Sequence, residues 1–367
     1  MPKIVNVETF CLSLPYRKIV RFKRGSEAAG QYVVLRLTLD DGTEGIAESN
    51  TRPDQNGEDA HAVAYRIQTL FKHRLIGADP TEHLSILTQL ERTRHCRTEK
   101  ALIDIALWDL RGKLAGLPVW KLIGGGPAKP IPLTWIAHGD TTDAMIDEAK
   151  KKALEEGYKG LKLKVWKRSE EDVRMVREVR LAVGDNFLIY VDANGVYTET
   201  EARTILGRLG EYNVSLIEEP CNFPDARRSA AMARALPIAL LGDQTCESLT
   251  EVANLVAIQG VGAVSVKLRR TGFTESLKII SLCEAYGLPV LIGTDSESRI
   301  GAQARFHLYT GVHSLSSFPA ETHFFEKLAD DAFVGDFQAA HGEALAGDAP
   351  GFGATLDPEK LAKYKIA

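Results

Sequence analysis

Lysines and carboxylates recur at nearly even steps through the second half of the chain, as Lys162-Leu163-Lys164, Asp192, Glu218, Asp243 and Lys267. A step of roughly 25 residues is about one β-strand, one α-helix and their loops, so each landmark falls at the same point of a successive βα unit. Eight strand-like runs keep this period, at residues 131–136, 160–166, 187–191, 215–218, 239–243, 263–268, 289–293 and 314–319. Helix-like stretches fall between them, at 142–156, 170–183, 198–209 and 275–286. The alternation predicts an α/β fold built as a (β/α) barrel. An open doubly wound sheet normally carries a Gly-rich dinucleotide turn after an early strand, and none is present.

The chain has 367 residues, and a barrel of about 250 leaves room for a smaller domain. Ahead of the repeats, residues 3–12 and 31–39 are strand-like, with a hairpin turn at Asp40-Asp41-Gly42-Thr43. Apolar spacing turns helical from residue 57 to about 90, broken at Gly77-Ala78-Asp79-Pro80. Ile103, Ala106, Leu107, Leu110 and Leu114 then mark a helix that ends at Gly116, with Pro118 beyond. Glycines 124–126 allow a sharp change of direction before the first barrel strand, so the domain boundary belongs there.

Apolar residues make up 44% and charged residues 26%, the balance of a soluble protein with an ample core. A net charge of −4 favours neither nucleic acid nor a membrane surface, leaving a small molecule as the expected partner. The opening Met-Pro-Lys-Ile-Val-Asn-Val has no signal-peptide pattern, and no apolar run approaches a membrane span of about 18 residues, so a cytoplasmic location is expected. Cys11, Cys96, Cys221, Cys246 and Cys283 are scattered, which predicts buried free thiols.

Side chains alternate along a strand. In 161–165 the aliphatic residues share one face and Lys162 and Lys164 the other, and Lys267 likewise opposes its aliphatic neighbours. Such alternation is ordinarily a half-exposed strand. Both faces of a parallel barrel strand are covered, however, so inward lysines require anionic company. Asp192, Glu218 and Asp243 close consecutive strands at the end where barrel enzymes carry their chemistry. All-oxygen ligands suit a hard cation, Mg²⁺ or Mn²⁺. Each could alone be a helix cap or turn, as in Asp192-Ala-Asn194-Gly or Glu218-Glu-Pro220; three in register favour the metal. An ion bound to a substrate carboxylate stabilises the enediolate formed when the α-proton leaves, and a neutral lysine can take that proton. Lys162 and the ion would lower the pKa of Lys164 for this task.

The motifs Lys162-x-Lys164, Val191-Asp-Ala-Asn194, Ile217-Glu-Glu-Pro220, Gly242-Asp243 and Lys267-Leu-Arg-Arg270, with the helix 103–113, resemble the enolase superfamily in its muconate-lactonizing subgroup. The resemblance implies a (β/α)₇β barrel, residues 126–324, under an α+β capping domain, residues 1–125, completed by segment 325–367. It implies Mg²⁺ or Mn²⁺ on Asp192, Glu218 and Asp243, and Lys164 and Lys267 as acid and base on opposite faces of the substrate, a lysine base with a metal-stabilised ene-diolate being this superfamily's pattern. Lysine on the sixth strand separates the chain from the mandelate-racemase branch, whose His–Asp dyad has no histidine counterpart in 291–300. Gln244 stands where the family usually has Glu, and the last strand lacks both the Asp-x-Asp that resembles dipeptide epimerases and the Gly-Pro of many lactonizing enzymes.

Specificity in the family comes from capping loops, here expected at 16–30 and 50–57. The first holds Arg17, Lys18, Arg21, Lys23 and Arg24, a basic run that predicts a small carboxylate substrate with a second acidic group, a dicarboxylate. Further substrate contacts are expected from Asn194, Asp295, Glu297, Arg24 and His323, with Phe324 as a pocket wall and His138 at the surface. The expected enzyme is a metal-dependent isomerase acting α to a carboxylate, either a muconate-type cycloisomerase or a racemase or epimerase of an amino-acid derivative, and a homo-oligomer. Alternatives are a syn-dehydratase of the succinylbenzoate-synthase type, a Schiff-base aldolase barrel and a non-catalytic metal-binding barrel.

Overall fold

The computed structural model describes residues 2–22, 25–53 and 57–366. It begins with an antiparallel meander of β1 (Ile4–Phe22), β2 (Gly25–Leu39) and β3 (Glu44–Thr51), followed by α1 (Ala60–Arg66), α2 (His83–Leu90) and α3 (Arg97–Ala115). Residues 16–22 and 25–30, expected as part of a loop, belong to strands β1 and β2, with Val20 opposite Glu27 and Phe22 opposite Gly25. The ladder crosses an irregularity between Pro15 and Val20 and continues because its bonds are made by the backbone. Its exposed Arg17 and Lys18 read as loop only because strand prediction relies on apolar alternation.

Seven parallel strands follow in sequential order: β4 (Thr134–Ala137), β5 (Gly160–Lys164), β6 (Leu188–Asp192), β7 (Leu216–Glu218), β8 (Ala239–Gly242), β9 (Ala263–Val266) and β10 (Val290–Ile292). The helices between them are α4 (Thr142–Leu154), α5 (Ser169–Val183), α6 (Glu199–Gly210), α7 (Ala226–Ala235), α8 (Leu249–Ala257) and α9 (Leu268–Ala285), and α10 (Arg299–Gly311) follows the last. Residues 314–319 are not the eighth strand. His313–Ser317 is a 3₁₀ turn, in which Ser316 Oγ donates back to the His313 carbonyl, and Pro319 has no N–H to give a ladder. Closure falls just beyond, where Ala320 O accepts from Thr134 N of β4 and Ala320 N donates to Pro132 O just ahead of it, both at 2.8 Å, and Glu321 N donates to Ile292 O at 2.9 Å.

Inside the barrel, Tyr190, Leu216, Leu241, Ala263 and Leu291 make a small apolar plug, while the larger core fills the space between strands and helices. Charged groups at the strand ends therefore stand on a dry base. The C-terminal segment touches both parts of the molecule. Glu343–Leu345 pairs with Ile131–Pro132, and Lys365, after α11 (Pro358–Tyr364), bridges to Leu12. Among the described residues no helix is long and apolar enough to cross a membrane. All five cysteines are free, four buried and Cys96 partly so.

Candidate active site

Register brings the landmarks together. Lys164 lies beside Asp192 and Asp192 beside Glu218 across β5, β6 and β7, and Asp243 and Lys267 directly follow β8 and β9. Lys164 Nζ donates to Asp192 Oδ2 at 2.5 Å and to Asn194 Oδ1 at 2.9 Å. Lys267 Nζ stands 2.8 Å from Asp243 Oδ1, which also accepts from Arg270 Nη2 at 2.8 Å. Between these pairs the Lys162 ammonium lies 2.6 Å from Glu218, 3.2 Å from Asp192 and 3.2 Å from Glu321.

Local backbone serves this layout. In Glu218-Glu219-Pro220 the first carboxylate points inward. The second residue, at φ 41°, turns its side chain to accept from Asp243 N at 2.8 Å and Thr245 N at 2.9 Å, fixing the turn that presents Asp243. Just past the seventh strand Gly293 lets the Lys267 chain pass, because a Cβ there would stand 2.8 Å from Lys267 Cε and would strike Ser265 Oγ. Glu321 accepts from Tyr190 Oη and from Thr294 N, so the closing strand holds Lys162 from a third side.

The charges differ in what their surroundings do to them. Burial opposes the Lys162 charge, yet Glu218, Glu321 and Asp192 hold its pKa well above the ordinary value. These three carboxylates favour the charged form of Lys162. Burial also works against Asp192, but Lys164 and Lys162 pull it down to about 2. Asp243 is buried too, and Arg270 and Lys267 hold it well below the carboxylate range. Glu218 moves the other way, raised by burial and by the neighbouring Asp192.

Among the described residues no three carboxylate, histidine or cysteine side chains are gathered as ligands for an ion. Asp192 and Asp243 turn toward Lys164, Lys267 and Arg270 instead, so the expected convergence is present in register and burial but not at ligating distance. The donor chemistry still fits a hard cation. Three buried carboxylates end neighbouring strands, and both oxygens of the central Glu218 are buried without a hydrogen-bond partner, the Lys162 contact lying off the hydrogen-bonding direction.

These groups line one cavity of about 510 Å³ between the barrel and the N-terminal domain, which contributes Arg21, Asn50, Arg52, Glu58, Arg97 and Thr98. Arg21, Asn50 and Arg52 fall in the two segments, 16–30 and 50–57, expected to face the substrate, whereas nothing in the spacing of Glu58, Arg97 and Thr98 shows that they face a barrel. Asn194, Asp295 and Phe324 line it as expected, and His138, read as a surface residue, lines it too. Asp295 is engaged by Arg269 at 3.3 Å and Arg305 at 3.1 Å. Glu297 does not line the cavity. It is buried beneath the seventh loop, accepting from Thr294 Oγ1 at 2.7 Å and Asp295 N at 3.0 Å, because loop N–H groups at the start of a helix claim the nearest carboxylate. His323 is not a pocket wall either; it is fully buried, its ring centroid 4.4 Å from that of Trp135. Arg24 lies outside the described residues. Arg270 stands in the Lys267–Arg270 motif without an assigned role, and the sequence signal for Glu321 is its place two residues past the run 314–319.

Residues 4–124 match the N-terminal domain of the mandelate racemase / muconate lactonizing enzyme family, and residues 144–360 match the enolase C-terminal domain-like model. The chain belongs to this family. It is 28% identical to a chloromuconate cycloisomerase from Pseudomonas putida over the full length of both chains. It is 27% identical to an N-succinyl-L-Arg/Lys racemase from Bacillus cereus, over 83% of this chain and 84% of that one. Among solved structures, a muconate lactonizing enzyme from Mucobacterium Smegmatis, complexed with muconolactone, superposes with a TM-score of 0.94 at 29% identity, covering 100% of each chain. The chain is an isomerase of the enolase superfamily, a family dependent on divalent metal.

Proposed function

We propose that this isomerase moves a proton on the carbon next to a substrate carboxylate, with Lys164 and Lys267 as its acid–base pair and Mg²⁺ or Mn²⁺ held by Asp192, Glu218 and Asp243. The observation that carries the reading is the bracketing of the carboxylates, Lys164 on Asp192 at one side and Lys267 on Asp243 at the other, around a Glu218 without hydrogen-bond partners. A divalent cation there would offset the negative charge that builds on the substrate carboxylate as its α-proton leaves.

The chain's own residues supply the rest. Lys164 and Lys267 approach the α-carbon from opposite sides, one removing and the other returning a proton. Asn194 holds Lys164 in place, and Arg270 holds Asp243. Lys162, held among Glu218, Asp192 and Glu321, balances part of the carboxylate charge. The same layout serves racemisation, where both lysines exchange the α-proton, and cycloisomerisation, where one protonates the enolate carbon.

The test is α-hydrogen exchange in D₂O followed by NMR, across dicarboxylates, muconates and N-acyl and N-methyl amino acids. Exchange is expected with Mg²⁺ or Mn²⁺, is expected to stop on chelation and return on adding the metal, and is expected to be lost in Lys164→Ala. Exchange that persists in chelator, or in the Lys164→Ala/Lys267→Ala double variant, would overturn the proposal.

A further inference from the structure

A second cavity, about 260 Å³, opens off the first on the Lys164 side, sharing Arg21, His138, Lys164 and Trp166 with it. Its buried lining is apolar, from Ala137 and Met145. Gly139 packs tightly there, since a Cβ would stand 2.9 Å from Met145 N. The volume is below the roughly 300–1,000 Å³ of a complete small-ligand site, so this annex suits part of a ligand whose remainder occupies the main cavity. On the Lys267 side of the main cavity, Arg269, Arg270 and Asp295 are tied to one another's partners and to the barrel.

The guanidinium groups indicate what the annex accepts. Around the main cavity Arg52 is paired with Glu27, Arg97 with Glu247 and Glu251, Arg269 with Glu58 and Asp295, and Arg270 with Asp243. At the annex, among the described residues, Arg21 pairs only with Asp140, at 3.4 Å with side chains 60% and 85% exposed, and such a pair holds weakly. Arg168 gives its backbone N–H to Asp172. Its guanidinium has no hydrogen bond or ion pair among the described residues. Two cations with spare donors thus border a pocket whose walls are the Trp166 indole and the Met145 thioether, surfaces that favour an apolar group.

We propose that the annex is a specificity subsite for one arm of the substrate, an apolar chain or ring that leaves the reacting carbon on the Lys164 side and ends in an anionic group taken by Arg21 and Arg168. The inference rests on the main cavity being the site of the reacting carboxylate. It gives the basic run of the β1–β2 hairpin a use, through Arg21.

Calorimetric titration of the Mg²⁺-loaded protein tests it, with straight-chain dicarboxylates from succinate to sebacate and the matching monocarboxylates from butyrate to decanoate. A charge-assisted pair predicts that dicarboxylates longer than succinate bind about tenfold or more tightly than monocarboxylates of the same length. That advantage is expected to vanish in Arg21→Gln and Arg168→Gln. It is expected to survive in Lys167→Gln, which removes a neighbouring cation paired with Glu201 and lining neither cavity. Trp166→Ala should weaken long monocarboxylates more than butyrate. If butyrate binds but length, the second carboxylate and the arginine substitutions change nothing, the annex proposal fails while the carboxylate site stands. If no carboxylate binds the Mg²⁺-loaded protein, both fail.

Discussion

Gly293 shows how one missing methyl group sets the position of a proton-carrying side chain. Lys267 Cε and Cγ pass within 2.8 and 3.1 Å of where a Cβ would stand, so Gly293→Ala must displace the lysine or the strand. Overpacking of this kind costs about 1–3 kcal/mol. The expected result is a folded protein in which α-proton exchange falls at least about tenfold, as read by NMR in D₂O. Glu218 offers a second test at this level. Its carboxylate accepts no hydrogen bond and pairs with the Lys162 ammonium at 2.6 Å, so Glu218→Gln is expected to leave the metal-free protein folded while abolishing any rise in melting temperature caused by Mg²⁺. Differential scanning calorimetry in chelator and in Mg²⁺ checks both halves. The inward lysines and the three carboxylates were legible in the sequence because strand parity and period expose them. The need for glycine at 293 was not, since it arises only where two strands meet.

Helix α9 follows Lys267 directly and breaks at Gly272, at φ 56°, where a side chain would strike Asp104 of α3. Asp104 caps the resumed helix, accepting from Phe273 N at 2.6 Å and Thr274 N at 2.8 Å, while its other oxygen meets His83 Nε2 at 2.6 Å. One carboxylate of the N-terminal domain therefore anchors the helix that carries Lys267 at its start. Asp104→Ala leaves several buried donors without an acceptor, and a loss of about 3 kcal/mol is expected by urea denaturation. Thr198→Ala, which removes the capping box of α6, is expected to cost only about 1 kcal/mol. The helix 103–114 could be recognised from its periodicity, whereas its joint to α9, 169 positions away in sequence, could not. The eighth strand was misplaced for a related reason, because apolar residues in 314–319 mimic a strand that the serines and Pro319 prevent.

The two parts of the molecule meet over the seventh barrel loop. Tyr32 Oη donates to Ser296 O at 2.7 Å, and Glu48 accepts from both the N–H and the hydroxyl of Ser298. Burial raises the Glu48 pKa from 4.5 to about 8. Below about 4.5 the folded and unfolded chains both hold this proton; between 4.5 and about 8 the unfolded chain has lost it and the folded chain has not. The Glu48 contribution to stability therefore falls as pH rises through that window, by roughly 1.4 kcal/mol per unit. Glu48→Gln is expected to remove this slope, so that the variant gains on the wild type from pH 5 to pH 8 in paired denaturant titrations.

By itself the sequence determined the architecture, the strands that carry chemistry and the residue types at their ends. Hydrophobic period and strand parity are local and survive in the one-dimensional order. Only the tertiary structure decided which charged groups meet. It turned Glu297 and His323 away from the cavity, brought His138, Arg97 and Thr98 to it, and placed Glu321 against Lys162. Those outcomes depend on close packing and on competition for hydrogen-bond partners among segments distant in sequence, which no local pattern records.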